Sequence, residues 1–420
     1  MLYIKNGTII DPASGTESQR NILIKDDRIL KIGSDDEIKK EFNLIDIATI
    51  GAENLIVAPG FVDIHVHFRD PGFTYKEDVE SGARAAAAGG YTRVVCMANT
   101  SPSVDCEEVL TDLRNRAKTL PVRVENTVNV TQKMQGKRLT DFALLCEKGA
   151  CGVTDDGVPI MDEDVLKEAL IKPKELNIPI SLHEENPEFI EKSGYNKTAP
   201  SKAEEAMIER DAALNRDIGA KLDIQHLSSG ESVKLIRDLK KQGVTVFCEV
   251  TPQHISLTEE AVKTKGTLAK INPPLRTEED RQELIKGLKD GTIDFIATDH
   301  APHSKEDKEK GMYEAPSGMI GLETALSLCI TNLVKPGHMS LSEVLKKMTV
   351  NPSEFYGFDS GYIKEGGPAD LCIFDPKEEY TVTEDCFFGK SKNSPFIGER
   401  LTGRVKYTIC RGQTVYKASH

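Results

Sequence analysis

The feature that most constrains the fold is an alternation, repeated eight times between residues 58 and 365, of a short apolar run with a longer run of helical character. A short apolar run bounded by turn residues is typical of a buried strand. Eight such units over about three hundred residues fit a closed (β/α)8 barrel better than an open doubly wound sheet. No Gly-x-Gly-x-x-Gly motif follows any run, so the usual mark of a nucleotide-binding open sheet is missing. The predicted strands begin near Phe61, Arg93, Val122, Cys151, Ile178, Leu222, Thr245 and Ile293.

The two ends of the chain have a different character. Residues 1–57 and 366–420 contain short β-like runs separated by turn signals such as Asn6-Gly7. Each segment is too short to bury the apolar face of its own sheet. We therefore expect the two to pair as one small composite β-sandwich domain beside the TIM barrel of residues 58–365, which makes the fold class α/β with two domains.

Charge and composition exclude several classes of partner. The formal net charge is −13, whereas nucleic acids and anionic membranes bind a basic face. No apolar run is long enough to cross a bilayer, and residues 1–7 lack the basic and apolar regions of a signal peptide. The nine cysteines show no Cys-x-x-Cys spacing and are expected to be reduced. These features predict a cytoplasmic protein.

Polar side chains collect where the predicted barrel strands end. The first strand ends in His65 and His67, which project from the same side because side chains alternate along a strand. A lone His-x-His is equally well explained by a hydrogen-bonded core histidine. In a barrel, however, the carboxyl ends of all strands meet at one mouth, where catalytic residues lie. The other strand ends supply further candidates, namely Asn99, Asp155, Asp156, His183, His226, Asp299, His300 and His303.

Six of these side chains, the imidazoles of His65, His67, His183 and His226 and two of the carboxylates, favour a transition-metal site. Four imidazoles and two carboxylates suit zinc better than magnesium or calcium, which take mostly oxygen ligands. Six ligands are more than one tetrahedral zinc ion uses when it also holds a water molecule. Two zinc ions bridged by a carboxylate would use all six and would lower the pKa of the bound water, and a single ion is the alternative.

Several stretches of the sequence resemble the amidohydrolase superfamily of metal-dependent barrels, and within it the dihydroorotase family of the long-chain bacterial type. The shared pattern is His-x-His on strand one, single histidines after strands five and six, and an aspartate after strand eight. The resemblance covers nearly the whole chain. The matching stretches are residues 59–63, 67–72, 75–78, 97–100, 154–157, 272–276, 297–303 and 366–371.

The resemblance implies a role for each ligand candidate. The first zinc ion would be held by His65, His67 and Asp299, and the second by His183 and His226. Many superfamily members bridge their metals with a carboxylated lysine on strand four. No lysine stands near this strand end, and the resemblance implies Asp156 as the bridge. Asp155 would then orient a ligand.

The resemblance also implies a reaction, the reversible interconversion of N-carbamoyl-L-aspartate and (S)-dihydroorotate in de novo pyrimidine biosynthesis. Asp299 would be the catalytic residue that carries a proton between the nucleophile and the ring nitrogen. Arg69 suits the substrate carboxylate because a guanidinium offers a bidentate fork, although a surface ion pair with Asp70 would also explain it. Ser317 departs from the phenylalanine usual in the family, so a backbone role is expected there. The implied substrate-binding residues are His67, Arg69, Asn99, Asn272, His303, Ser317 and Gly318.

Two rival functions stay open. A related hydrolase acting on allantoin or a hydantoin would be expected to carry the strand-four lysine, and a non-catalytic scaffold would be expected to have lost metal ligands. Members of the resembled family often form homodimers, and some associate with aspartate carbamoyltransferase, so both are expectations here. Beside the mouth, residues 184–216 are predicted to be helical from Lys202 onward. The charged loop of residues 304–317 is explained either as solvated surface or as a mobile cover over the mouth.

Overall fold

The structure is a computed structural model that describes residues 1–190 and 199–418. Within these residues the chain forms sixteen strands and thirteen α-helices. The strands are β1 (Leu2–Asp11), β2 (Thr16–Lys25), β3 (Arg28–Gly33), β4 (Ala48–Gly51), β5 (Ile56–Pro59), β6 (Phe61–Val66), β7 (Tyr91–Cys96), β8 (Arg123–Val128), β9 (Ala150–Thr154), β10 (Ile180–Leu182), β11 (Leu222–Ile224), β12 (Val246–Val250), β13 (Phe295–Ile296), β14 (Leu371–Thr381), β15 (Arg400–Cys410) and β16 (Gln413–Lys417). The helices are α1 (Asp35–Glu41), α2 (Val79–Ala88), α3 (Glu107–Ala117), α4 (Phe142–Glu147), α5 (Glu163–Leu176), α6 (Ser201–Ile218), α7 (Gly230–Lys241), α8 (Glu260–Lys265), α9 (Glu278–Asp290), α10 (Lys305–Lys308), α11 (Ala325–Cys329), α12 (Leu341–Met348) and α13 (Val350–Tyr356).

Strands β6 to β13 form a parallel sheet in sequence order. The sheet closes on itself because Val66, at the end of β6, pairs with His300 just beyond β13, and the His67 N–H donates to the His300 carbonyl at 2.9 Å. Every position of β6 is buried, as expected for a parallel strand with helices outside and side chains within. The predicted (β/α)8 barrel is confirmed, with all eight predicted strands present.

Both ends of the chain contribute to a second sheet of eight strands, ordered β16-β15-β14-β5-β1-β2-β3 with β4 also on β1. The antiparallel pairing of β5 with β14, which sets Val57 opposite Ile373, joins the two ends. The predicted composite β domain is therefore present, and hydrogen bonds make its halves one continuous sheet over a shared apolar core that includes Ile4 and Leu371. The domain boundaries after residue 57 and before residue 366 stay a prediction.

One segment of this composite domain leaves its sheet. Between β14 and β15, residues 382–399, which we call the C-terminal excursion, cross to the barrel. Phe396 packs in an apolar cluster with Met319, and the Ser391 hydroxyl donates to the Lys76 carbonyl at 2.7 Å. The excursion therefore lies against loops at the carboxyl ends of the barrel strands.

Two predictions concern segments beside the mouth. Helix α6 begins at Ser201, as predicted for residues from Lys202 onward, while residues 191–198 of the same prediction lie outside the described residues. The expected cover, residues 304–317, contains the short helix α10, and its role as a cover stays a prediction. Among the described residues, no helix combines the length and apolar character needed to span a bilayer.

Candidate active site

Two histidines at the end of β6 face the mouth of the barrel. His65 and His67 lie on the same side of the chain, with ring centroids 5.3 Å apart. The His65 Nδ1–H donates to Glu249 of β12, which leaves Nε2 facing the mouth. The His67 Nδ1–H donates to Asn99 Oδ1 at 3.0 Å, which leaves its Nε2 facing the same space. Each ring thus presents one nitrogen to the site while a protein acceptor holds the other.

A second pair of histidines comes from two neighbouring strands. His183 follows β10 and His226 follows β11. The His183 Nδ1 and His226 Nε2 atoms are 3.0 Å apart, and the His183 Nε2–H donates to Glu185 Oε2 at 3.1 Å. The His226 Nδ1 atom has no hydrogen-bond partner within the described part of the chain. Both pairs therefore point nitrogen atoms into one space.

Asp156, just after β9, lies between the two pairs. The distances from its carboxylate oxygens are 3.4 Å to His65 Nε2, 3.4 Å to His67 Nε2, 3.8 Å to His183 Nδ1 and 3.9 Å to His226 Nε2. Asp299, after β13, joins the first pair, with its Oδ1 3.0 Å from His67 Nε2 and 3.6 Å from His65 Nε2. The six residues predicted as ligands thus meet in one cluster.

The cluster fits a divalent cation. Two groups of residues each hold potential ligand atoms within 4.8 Å of one another: His65 and His67 with Asp156, and His183 and His226 with the same aspartate. The fully buried His65 Nε2 has no hydrogen-bond partner among the described residues, an arrangement that is unfavourable unless a cation is bound. Imidazole nitrogens combined with carboxylates suit zinc or a neighbouring divalent metal. The residues present therefore fit a metal centre in which Asp156 belongs to both groups.

Charge within the cluster shifts several pKa values. Burial disfavours the protonated form of His65, yet the carboxylates of Glu249, Asp156 and Asp299 outweigh burial and raise the pKa of His65 well above its ordinary value. Burial alone would raise the pKa of Asp156, but the surrounding imidazoles, led by His65, hold it well below the usual range. The same balance lowers the pKa of Asp299. Both aspartates are therefore ionised at neutral pH and can bind a cation or accept a proton.

The neighbouring carboxylate, Asp155, is held away from the cluster. It accepts hydrogen bonds from the Thr131 backbone N–H, at 3.1 Å to Oδ2, and from the Thr131 hydroxyl. Burial raises its pKa to about 6, although these hydrogen bonds oppose the shift. In this arrangement Asp156 stands between the histidines. Asp155 joins the end of β9 to Thr131 beyond β8, and among the described residues its hydrogen bonds do not orient a ligand candidate, contrary to the expectation above.

A cavity of about 160 Å³ opens onto the cluster. Arg69 lies on its wall, where its Nε–H donates to the Pro302 carbonyl at 3.2 Å. Asp70 pairs with Arg116 of α3, so the guanidinium of Arg69 is not committed to the surface ion pair considered above. Six of the seven predicted substrate-binding residues line the cavity. The lining residues are His67, Arg69, Asn99, Asp156, Gly157, His183, His226, Asn272, Asp299, Ala301, Ser317 and Gly318.

Two asparagines on the cavity wall differ in what they offer a ligand. Asn99 accepts from His67 and donates to Asp156 Oδ2 at 3.0 Å, so it braces two of the cluster residues. Asn272 Oδ1 is buried without a hydrogen-bond partner in the described chain. Asn272 therefore presents a ready acceptor, whereas Asn99 would have to release a bond within the protein.

His303 is already engaged within the protein. Its Nε2–H donates to the Ser317 carbonyl at 2.8 Å, and Lys76 Nζ donates to its Nδ1 at 3.2 Å. Burial, reinforced by the positive charges of Arg69 and Lys76, lowers the pKa of His303 and keeps the ring neutral. The His303 Nε2 atom lies 3.4 Å from Arg69 Nη2. Arg69 lines the cavity, so His303 lies behind this guanidinium and not on the cavity wall.

Two carboxylates that orient the histidines were not assigned this role from the sequence. Glu249 holds His65, and Glu185 holds His183. Each is an acidic residue in or just after an apolar strand. That placement is itself a signal, because a charged residue in a buried run needs a buried partner.

Backbone strain is concentrated at the site. Three non-glycine residues there have positive φ: Arg69 at 58°, His226 at 34° and Asp299 at 45°. Such conformations raise the free energy by about 1–3 kcal/mol each and persist where the surrounding structure enforces them. The strained backbone directs these three side chains toward the cavity.

Two further histidines, His254 and His300, lie outside the ligand cluster and form hydrogen bonds within the protein. The His254 Nε2–H donates to the Pro273 carbonyl at 3.1 Å, and its Nδ1 accepts from the Thr251 hydroxyl at 2.8 Å. Burial lowers the pKa of His254 to about 4. The His300 Nδ1 accepts from a backbone N–H at 3.2 Å.

Comparison with known proteins agrees with this geometry. Residues 56–415 match the amidohydrolase family, and the chain belongs to that family. A dihydroorotase from Clostridioides difficile strain 630 is 49% identical over 428 residues, which cover 100% of both chains. A dihydroorotase from Clostridium acetobutylicum is 50% identical over 427 residues, covering 99% of this chain and 100% of the relative. The resemblance seen in the sequence motifs is thus confirmed.

Among solved structures, L-hydantoinase (dihydropyrimidinase) from Arthrobacter aurescens matches with a TM-score of 0.90. It is 26% identical, and the match covers 100% of this chain and 96% of that one. The fold, composite sheet included, is therefore shared with a hydantoinase. The sequence identity to the dihydroorotases is nearly twice as high.

Proposed function

We propose that this protein is a dihydroorotase whose six-residue cluster binds two zinc ions. The observation that carries the proposal is the position of Asp156, which belongs to both metal groups and stands where many superfamily members have a lysine. Identities of 49% and 50% to full-length dihydroorotases support the same activity. The ions would be held by His65, His67 and Asp299 on one side and by His183 and His226 on the other, with Asp156 between.

The reaction is a reversible ring closure. In one direction the terminal carbamoyl nitrogen of N-carbamoyl-L-aspartate attacks the carbon of the side-chain carboxyl group, a C–N bond forms and water leaves. The reverse direction is hydrolysis of the ring amide. When bound, zinc would supply a Lewis acid for the reacting carbonyl and would acidify water at the site.

Asp299 is the proposed catalytic residue. Its carboxylate is ionised, faces the cavity and lies 3.0 Å from His67 Nε2. In hydrolysis it would take the proton of the attacking water and deliver that proton to the ring nitrogen as the amide bond breaks. A carboxylate with a lowered pKa is a weak base, so its contribution rests on position.

Substrate recognition is assigned to the cavity wall. Arg69 would bind the α-carboxylate through two N–H groups, and Asn272 would accept a hydrogen bond from the ring. Contacts from His67, Asn99, His303, Ser317 and Gly318 remain part of the proposal. Since Asn99 and His303 are engaged within the protein, each would exchange a protein hydrogen bond for one to the substrate.

Turnover of dihydroorotate by the purified, zinc-loaded protein tests the proposal. Wild-type protein should open the ring, and Asp299→Asn should lower kcat by roughly 10²–10⁴-fold. Asp155→Asn is the matched control, because Asp155 bonds to Thr131 outside the cluster. An Asp299→Asn variant with wild-type kcat would remove Asp299 from the mechanism.

The structural match to a hydantoinase favours one second candidate, a hydrolase of another cyclic amide. Values of kcat/KM for dihydroorotate, hydantoin and allantoin, measured side by side, distinguish the two. We expect dihydroorotate to be preferred by at least about 100-fold. Preference for hydantoin would reverse the assignment, and zinc-loaded protein inactive on all three would indicate a non-catalytic scaffold.

Two expectations about assembly belong with the proposal. The protein would act in the cytoplasm as a homodimer, and it would associate with aspartate carbamoyltransferase. Light scattering on the eluting protein tests the first, since a dimer has twice the 46.3 kDa of the chain. Co-elution of the two purified enzymes tests the second.

A further inference from the structure

Asn393 belongs to the C-terminal excursion, yet its side chain bonds to the mouth of the barrel. The residue is 3% exposed. Its Nδ2 donates to the carbonyl oxygens of Ala301 and Gly318, each at 3.2 Å, and its Oδ1 accepts from the His303 N–H at 3.1 Å. One amide group thus joins the segment that follows β13 to the end of the loop formed by residues 304–317.

The Gly318 peptide has further anchors on the barrel side. Lys308 is 4% exposed, and its Nζ donates to the carbonyls of Pro316 and Gly318, each at 2.9 Å. The Gly318 N–H donates to the Lys270 carbonyl at 2.9 Å. Gly318 has φ of 132°, and a Cβ there would lie 3.0 Å from His303 Nε2. The Gly318 loop therefore lies too close to the segment after β13 for any residue larger than glycine. Asn393 is the anchor that the excursion adds.

The segments that Asn393 joins form one wall of the cavity. Ala301 and Gly318 line the cavity, and Ala301 comes two residues after Asp299. His303 contacts Arg69, the proposed carboxylate partner. The spacing between these two segments therefore affects substrate binding.

We propose that Asn393 is a positioning residue, which sets the distance between the β13 segment and the Gly318 loop so that the cavity fits its substrate. The inference rests on the proposed function, because it takes the wall at Ala301 and Gly318 as the substrate wall. Asn393 acts through the backbone of its partners, and its bonds go to none of the six cluster residues. Its loss should therefore raise KM more than it lowers kcat, with zinc content unchanged.

Asn215 offers a matched control. It is fully buried, its Nδ2 donates to the carbonyls of Ala220 and Thr245 at 3.0 and 2.7 Å, and its Oδ1 accepts from the Ala220 N–H at 2.9 Å. Ala220 precedes β11 and Thr245 precedes β12, so Asn215 lies at the amino ends of the strands, opposite the cavity. Replacing either asparagine removes the same three kinds of hydrogen bond.

The test compares Asn393→Ala with Asn215→Ala at full zinc loading. We expect Asn393→Ala to raise KM for dihydroorotate by roughly tenfold while kcat stays within about threefold. Both alanine variants should lower the melting temperature by similar amounts, because each loses three buried hydrogen bonds. Asn215→Ala should leave KM within about twofold of the wild-type value. Asn393→Asp and Asn215→Asp keep the acceptor oxygen and the side-chain volume but lose both donated bonds. They should show the same contrast, and they replace the alanine variants if those do not fold.

Several results would overturn the inference. These are a wild-type KM in both Asn393 variants, an equal rise of KM in the Asn215 variants, or loss of zinc in the Asn393 variants. Calorimetric binding of dihydroorotate to wild-type protein distinguishes a failure of the proposed function from a failure of the role inferred for Asn393. Wild-type protein that neither binds nor turns over dihydroorotate refutes the proposed function, and the inference with it. Active wild-type protein with unaffected Asn393 variants refutes the inference alone.

Discussion

The two histidine pairs of the cluster differ in how firmly their rings are held. His65 and His67 stand two residues apart on one strand, and their outer nitrogens bind Glu249 and Asn99. Asp299 adds a carboxylate to this pair at 3.0 Å from His67. The rings of the first pair are therefore oriented before any cation arrives.

The second pair is less constrained. His183 and His226 come from different strands, and Glu185 holds only His183. The His226 Nδ1 has no partner in the described part of the chain. Because orienting a free ring consumes part of the binding free energy, the second position should bind a cation more weakly than the first. The comparison therefore predicts two metal positions that share Asp156 and differ in their affinity for the cation.

The largest effect should follow from removing the shared ligand. Asp156→Ala leaves both groups one carboxylate short, so we expect zinc to fall at both positions and kcat to fall by roughly 10³-fold. Zinc per chain and steady-state turnover measure the two losses. Retention of two zinc ions by Asp156→Ala would show that the pairs do not depend on a common bridge.

Removing one imidazole from each pair should separate the positions. We expect His183→Ala to keep the first zinc ion, because His65, His67, Asp156 and Asp299 all remain, and His65→Ala to weaken it. Titration of wild-type protein with a chelator should correspondingly release zinc in two steps, of which His183→Ala lacks the weaker one. Release in a single step from wild-type protein would contradict the unequal positions.

The orienting carboxylates should have smaller and separate effects. Glu249→Ala should weaken zinc binding at the first position by about 10–100-fold, and Glu185→Ala should weaken the second by a similar factor. Chelator competition with each variant measures the affinities. Glu249→Gln and Glu185→Gln are the controls, because a glutamine still offers an acceptor oxygen. Equal weakening of both positions by either alanine variant would argue against separate pairs.

The smallest effect concerns His254, a buried histidine outside both pairs. Its pKa is about 4 in the folded chain against an ordinary value of about 6.5, so the unfolded chain binds the proton first. Its contribution to stability is complete above pH 6.5 and is lost as the pH falls toward 4, by up to about 3 kcal/mol. The urea-unfolding free energy of zinc-free His254→Gln should therefore decline less over this range than that of wild-type protein. Parallel declines would remove His254 as the cause.

Five of the six cluster residues could be predicted from strand ends alone because two regular features act together, whereas the choice of Asp156 over Asp155 rested on the family resemblance. Alternation along a strand places His65 and His67 on one side, and the carboxyl ends of barrel strands meet at one mouth. These rules bring together residues as distant as His67 and Asp299, which are 232 positions apart. The barrel itself could be predicted because eight short apolar runs alternate with longer segments of helical character.

The orientation of the rings and the bracing of the cavity could not be predicted in this way. Which nitrogen of His65 faces the site depends on Glu249, 184 positions away on another strand. Asn393 reaches His303 because the C-terminal excursion leaves its sheet, and no local periodicity encodes that path. The engagement of the His303 ring with Ser317 likewise depends on how a loop folds back.

The pairing of β5 with β14 has a consequence for synthesis on the ribosome. β5 emerges before the whole barrel and β14 only after it, so the nascent chain carries an unpaired edge at β5 throughout barrel translation. An unpaired edge is a template for pairing with other chains. The shortness of β5, four residues that end in Pro59, limits such pairing, and the wall braced by Asn393 is completed only when translation has passed β14.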